Sequence, residues 1–226
     1  MTKQEVRSQI EEFGIIPAVR VSTAADVLFA AETITRAGIP ILEITMTVPD
    51  AIHVIFELTQ SRPDIVVGAG SILDAKTARL CIEAGAHFLT STGLDLDVMK
   101  TATEKDVLIF PGVLTPTEII AAVKAGSDLV KIFPCAQVGG PGYIRAMKKP
   151  FPQVPMIASG GVNQQTAAEF ILAGCAAIGI GHELIPLQAI RKRQRDWIEE
   201  LARRFVNIVK QARTQLQSNH AVRASR

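Results

Sequence analysis

Eight short apolar runs recur along the chain at roughly 20–26 residue intervals, each followed by a segment that suits a helix. They are Ile15–Arg20, Ile41–Met46, Ile65–Gly68, His87–Ser91, Val107–Phe110, Leu129–Phe133, Pro155–Ala158 and Ala177–Gly181. Several lack alternation, as parallel strands covered on both faces do. Eight strand–helix units permit a doubly wound sheet or a (β/α)8 barrel. The even repeat and the lack of a GxGxxG fingerprint favour an α/β fold of the (β/α)8 TIM barrel type, which 226 residues suit. A helix over Lys3–Phe13 is expected before the barrel and an extended helix after it. No linker interrupts the pattern, so residues 1–213 are expected to form a single barrel domain. Thr214–Arg226 is a polar tail expected to fray.

The helices carry their own punctuation. Gly38, Gly85, Gly126 and Gly174 stand just past segments ending in alanine, where a left-handed residue closes a helix. Ser22, Asp74, Thr115 and Asn163 are the expected N-caps of the corresponding helices.

Composition excludes several functions. Net charge is +2, with one Trp and one Tyr, which leaves neither a basic nor a stacking surface for nucleic acid. No apolar run approaches the ~20 residues of a membrane helix. The N-terminus lacks a signal-peptide core, so a cytoplasmic protein is expected. Cys81, Cys135 and Cys175, like His53, His87, His182 and His220, are scattered without metal-ligand spacing, and neither metal nor cofactor is expected. Arg191, Lys192, Arg193 and Arg195 form a basic run interleaved with Ile190, Trp197, Leu201, Phe205 and Ile208. Glu199 and Glu200 lie among them, so the segment reads as a terminal helix packed on the barrel with a solvated charged face.

Active sites of such barrels lie at the C-terminal ends of the strands. There the sixth run carries Lys131 in its middle. Desolvation penalises a buried ammonium and favours a nucleophilic amine; the alternative is a lysine snorkelling from an edge strand. The second run buries Glu43, with Thr45 two residues on and therefore on the same face. A Glu–Lys pair that merely held two strands would stabilise little. A carboxylate beside a nucleophilic amine is instead what imine chemistry needs, because water and protons must be moved. Ser159-Gly160-Gly161-Val162 and Gly179-Ile180-Gly181, after the last two strands, sit where barrels build phosphate sites from loop amides. Gly139-Gly140-Pro141-Gly142 either widens that cradle or is a flexible turn.

Five motifs appear in order: Gly14-Ile15-Ile16-Pro17-Ala18-Val19-Arg20, Leu42-Glu43-Ile44-Thr45, Val67-Gly68-Ala69-Gly70-Ser71, Pro111-Gly112 and Val130-Lys131-Ile132-Phe133-Pro134. From about Ile10 to Arg213 the chain resembles the 2-keto-3-deoxy-6-phosphogluconate (KDPG) aldolases, including members that also cleave 4-hydroxy-2-oxoglutarate. The resemblance implies a metal-independent class I aldolase, a homotrimer acting on a small 2-keto acid, phosphorylated in the KDPG case. It implies Lys131 as the Schiff-base lysine and Glu43 as the general acid/base. Ser71 stands where the family has a threonine against the pyruvyl carboxylate, and Arg20 matches an arginine at the site mouth. With Thr45, Thr47, Phe133, Gly160, Gly161, Gly181 and His182 these residues make up the expected substrate-binding set.

The chain departs from the family pattern at three places. Thr47 replaces an arginine, His182 follows Gly181 where a serine is usual, and Thr92 replaces a proline. These leave the imine chemistry intact and open the substrate to KDPG, its galactonate epimer or 4-hydroxy-2-oxoglutarate. A phosphosugar epimerase or isomerase, or a phosphosugar-binding protein, could use the same barrel but would leave Lys131 without a task.

Overall fold

A computed structural model describes residues 1–224, with side chains through Ser218. Its strands are β1 (Ile15–Val19), β2 (Ile41–Thr45), β3 (Val66–Ile72), β4 (Phe88–Ser91), β5 (Leu108–Phe110), β6 (Gly112–Val113), β7 (Val130–Ile132), β8 (Met156–Ser159) and β9 (Cys175–Ile180). The helices are α1 (Lys3–Phe13), α2 (Ala24–Arg36), α3 (Ala51–Ser61), α4 (Ala75–Glu83), α5 (Leu96–Glu104), α6 (Pro116–Lys124), α7 (Gly140–Lys148), α8 (Ala167–Leu172), α9 (Leu187–Arg191) and α10 (Arg195–Ala224).

All strand pairings are parallel, in the order β5-β4-β3-β2-β1-β9-β8-β7-β6. Both ends of that order belong to one run broken at Pro111. Proline has no N–H for the ladder, so pairing stops at β5, where the fifth expected strand Val107–Phe110 also ends, and resumes beyond Pro111 as β6, which was not expected. The Pro111 carbonyl still accepts from the Lys131 amide at 2.9 Å. The barrel therefore closes through this proline, and Lys131 lies on β7.

Two apolar layers arise from period-two strands. Ile16, Ile41, Val66, Phe88, Leu108 and Ile157 fill the barrel interior, where the Phe88 and Phe110 rings stack at 5.1 Å. Val6 and Ile10 of α1 join that cluster, so the N-terminal helix plugs the barrel. Thr2 and Glu5 start α1 with a reciprocal capping box, and left-handed Gly14 ends it. Alternate strand residues such as Leu42, Val67 and Ile132 pack outward against the helices.

Several local expectations shift. Thr23 rather than Ser22 caps α2, its hydroxyl accepting from the Asp26 amide. Asn163 Oδ1 accepts from the Gln165 and Thr166 amides, a local turn that delays α8 to Ala167. Gly139-Gly140-Pro141-Gly142 opens α7, since a proline at a helix start sacrifices no bond. In α10, Ile198, Leu201, Ala202 and Phe205 face the core while Trp197 is 42% exposed. The same helix continues past Thr214 to Ala224 instead of fraying there. Leu216 packs on the core, which explains why helix persists into the polar stretch.

Candidate active site

Lys131, Glu43 and Thr90 share the inward parity of Leu129, Ile41 and Phe88, which precede them by two residues in the interior cluster. Lys131 and Glu43 are each only 6% exposed, and Thr90 is fully buried. Lys131 Nζ lies 4.0 Å from Glu43 Oε1. Thr90 Oγ1 closes the gap, accepting from Nζ at 3.1 Å and donating to Glu43 Oε2 at 3.0 Å. The Phe133 ring centroid is 5.5 Å from Nζ.

Thr90 is the residue that sequence reasoning missed. On the fourth run that reasoning points to Ser91, Thr92 and Gly93 at the strand end, whereas Thr90 sits inside the strand. A usable signal was present, because Thr90 is two residues from Phe88 and so shares its face.

Gly70 explains how the Glu43 carboxylate fits. A Cβ built at this position would stand 2.1 Å from Glu43 Oε1, so the glycine on β3 leaves space that the carboxylate occupies. One residue later Ser71 holds φ at 62°, where the β3–β4 register shifts. Left-handed backbone in a serine costs on the order of 1–3 kcal/mol and concentrates at functional sites.

A cavity of about 490 Å³ opens over the ends of β1, β8 and β9. It brings together Arg20, Phe133, Gly160, Gly161, Gly181 and His182 from the expected binding set. Lys131, Glu43 and Thr90 are not among its lining residues, but two of their neighbours are: Ala18, in register with Glu43, and Phe133, whose ring centroid is 5.5 Å from Nζ. Gly160 and Gly161 hold φ at 86° and 83°, and a Cβ on Gly161 would meet Ala136 Cβ at 2.4 Å. The amides of Gly161, Val162 and His182 have no hydrogen-bond acceptor among the described residues, which suits an anion. Arg20 is exposed at the mouth. The His182 side chain is 81% exposed, its Nε2 3.4 Å from Glu183 Oε1. A larger groove of about 700 Å³ lies on the outer surface around Phe56 and Leu80 and holds none of the expected site residues.

Thr45, Thr47 and Ser71 do not line the 490 Å³ cavity. The Thr45 hydroxyl donates to the Val19 carbonyl at 3.1 Å, stapling β2 to β1. Its single proton being used, the 2.7 Å contact with the exposed Thr47 has Thr47 as donor. Cys135 is buried, its thiol donating to the Gly160 carbonyl, and desolvation pushes its pKa up to about 12. It packs the loop below the cavity rather than serving as a nucleophile. Among the described residues, no group of three or more His, Cys, Asp or Glu converges, and no helix is long and apolar enough to cross a membrane.

The family model described as KDPG and KHG aldolase matches residues 6–201. The 2-dehydro-3-deoxy-phosphogluconate aldolase of Pseudomonas aeruginosa is 29% identical over 192 residues, covering 85% of this chain and 87% of its own. The KHG/KDPG aldolase of Escherichia coli K12 is also 29% identical, over 90% of this chain and 96% of its own. Among solved structures, a KDPG aldolase from Legionella pneumophila, with pyruvate captured as a covalent carbinolamine intermediate, superposes with a TM-score of 0.83 at 28% identity. That match covers 88% of this chain and 96% of the other. With a family model spanning most of its length, the chain belongs to the KDPG and KHG aldolase family.

Proposed function

We propose that this chain cleaves 2-keto-3-deoxy-6-phosphogluconate to pyruvate and glyceraldehyde 3-phosphate through an imine on Lys131. The observation that carries this reading is the buried Lys131–Thr90–Glu43 group inside the barrel, with Phe133 and Ala18 standing between it and a glycine-lined cavity. The covalent carbinolamine named for the Legionella relative supports it.

In this cycle the Lys131 amine attacks the C2 ketone, and the carbinolamine loses water to give an iminium. Glu43 carries the protons. As Glu43 takes the C4 hydroxyl proton, the C3–C4 pair flows into the iminium, leaving an enamine and releasing the aldehyde. Protonation of the enamine and hydrolysis return pyruvate and free Lys131. Arg20, His182 and the amides near Gly160, Gly161 and Gly181 receive the phosphate, with Phe133 walling the pocket. Ser71 takes the pyruvyl carboxylate, and Thr45 and Thr47 shape the adjoining rim.

A second reading, cleavage of 4-hydroxy-2-oxoglutarate to pyruvate and glyoxylate, is favoured by Thr47. This exposed hydroxyl supplies no bidentate cation for a phosphate. Pyruvate release coupled to lactate dehydrogenase separates the two through kcat/KM for KDPG, its galactonate epimer and 4-hydroxy-2-oxoglutarate. KDPG is expected to lead, and no pyruvate from any of them would contradict both readings.

The working form proposed is a cytoplasmic homotrimer of one catalytic domain, residues 1–213, with 214–226 an appendage. Exposed Phe56 and Leu80 flank the outer groove and give a second copy an apolar face. Light scattering at a monomer mass would contradict the trimer.

A further inference from the structure

We infer that Thr90 is the proton relay between Lys131 and Glu43, an assignment that rests on the imine reading above. Nζ and Oε1 are 4.0 Å apart, beyond the ~3.2 Å within which a hydrogen bond hands over a proton. Thr90 Oγ1 is within range of both groups, at 3.1 Å from Nζ and 3.0 Å from Oε2. The direction of this chain of bonds is set by the groups themselves. An ionised carboxylate only accepts, so the one Thr90 proton points to Glu43 and its lone pairs face the lysine N–H. Once Lys131 is the neutral amine, one of its N–H groups is engaged there while the nitrogen lone pair is available to an incoming carbonyl. Water has little room to substitute, because Thr90 is fully buried and its two partners are 6% exposed.

Attack forms the N–C2 bond and moves the carbonyl π pair onto oxygen, giving an N-protonated alkoxide. The excess proton passes from nitrogen to Thr90 Oγ1 as the Thr90 proton passes to Glu43 Oε2. Thr90 ends unchanged, and Glu43 is a carboxylic acid. Glu43 then protonates the alkoxide, which completes the carbinolamine and restores the carboxylate. No external reactant is required up to this point.

Rapid-quench borohydride trapping with pyruvate tests the relay in the intact protein. Thr90→Val keeps the shape and removes the hydroxyl, and its trapping rate is expected to fall about 100-fold with the half-saturating pyruvate concentration within about threefold. Thr90→Ser, which keeps the hydroxyl, is expected to trap within about tenfold of the parent rate. In mixtures of light and heavy water, the parent trapping rate is expected to curve with deuterium content, as two protons in flight require. That measurement stands even where Thr90→Val fails to fold. Unchanged trapping by Thr90→Val, equal losses in Val and Ser variants, or a linear isotope response would overturn the relay while leaving the imine in place. No adduct on Lys131 in the parent protein would overturn the imine reading and the relay together.

Discussion

Lys131 Nζ and Glu43 Oε1 face each other across the barrel at 4.0 Å, with each side chain 7% exposed. Enclosing such a pair costs desolvation that its attraction only partly repays. Removing one partner is worse, since the other stays buried and uncompensated. Lys131→Met is therefore expected to lower unfolding free energy by about 3–5 kcal/mol, whereas the double variant Lys131→Met, Glu43→Leu recovers most of it. Urea denaturation of the two proteins checks this. A double variant no more stable than the single one would show the pair to be a net structural gain.

Activity divides differently between these residues. Glu43→Gln keeps the volume and loses the proton acceptor, so kcat is expected to fall about 10²–10⁴-fold in the pyruvate-release assay. Lys131→Met leaves no nucleophile and is expected to show no imine-dependent turnover.

Gly70 offers a test of placement rather than chemistry. Its backbone is not left-handed, so alanine is conformationally allowed, yet the new Cβ would meet Glu43 Oε1 at 2.1 Å. Shifting the carboxylate by about 1 Å is expected to lower kcat roughly 10²-fold. Circular dichroism should show the fold retained, and unaltered kcat would mean that Glu43 acts from another position.

Arg20 should distinguish substrates by charge. A charge-assisted bond to phosphate contributes roughly 1.5–3 kcal/mol, or about 10–150-fold in kcat/KM. Arg20→Ala is expected to lose that factor for KDPG mainly through KM. An equal KM for parent and variant would remove Arg20 from the phosphate contact.

His87 gives the protein a stability step at mildly acidic pH. Burial holds its pKa below 6.5, and its Nδ1 accepts from the Val67 amide at 3.1 Å. The unfolded chain thus binds the proton first, and stability rises with pH from the folded pKa up to about 6.5. Below that window the penalty is complete; above it none remains. Asp74 and Glu118, whose pKa values are lowered chiefly by amide bonds from Thr77 and Leu114, weaken their caps only at lower pH. Urea midpoints should rise with pH up to about 6.5 and level off above it, and His87→Asn, which can still accept the amide bond, should flatten that rise.

The architecture was legible because strands covered on both faces read as continuous apolar runs, and because glycine ended successive helices. Lys131 and Glu43 stood out for the same reason, as charges inside such runs. Thr90 did not, since a threonine is an ordinary strand residue until its parity with Phe88 is noticed. The break at Pro111 hid Gly112–Val113, because a proline in a run reads as the strand's end. Trp197 misled through spacing alone: Leu201 and Phe205 of the expected stripe do face the core, but Ile198 and Ala202 join them and Trp197 does not. The six expected residues that line the cavity come from four separate βα units, and only their shared position at strand ends connected them in advance.

Borohydride reduction in the presence of pyruvate, followed by peptide mass mapping, addresses the imine itself. A pyruvate-derived adduct on the peptide containing Lys131, absent from Lys131→Met, is the expected result. An unmodified Lys131 peptide, or an adduct carried by another lysine, would contradict it.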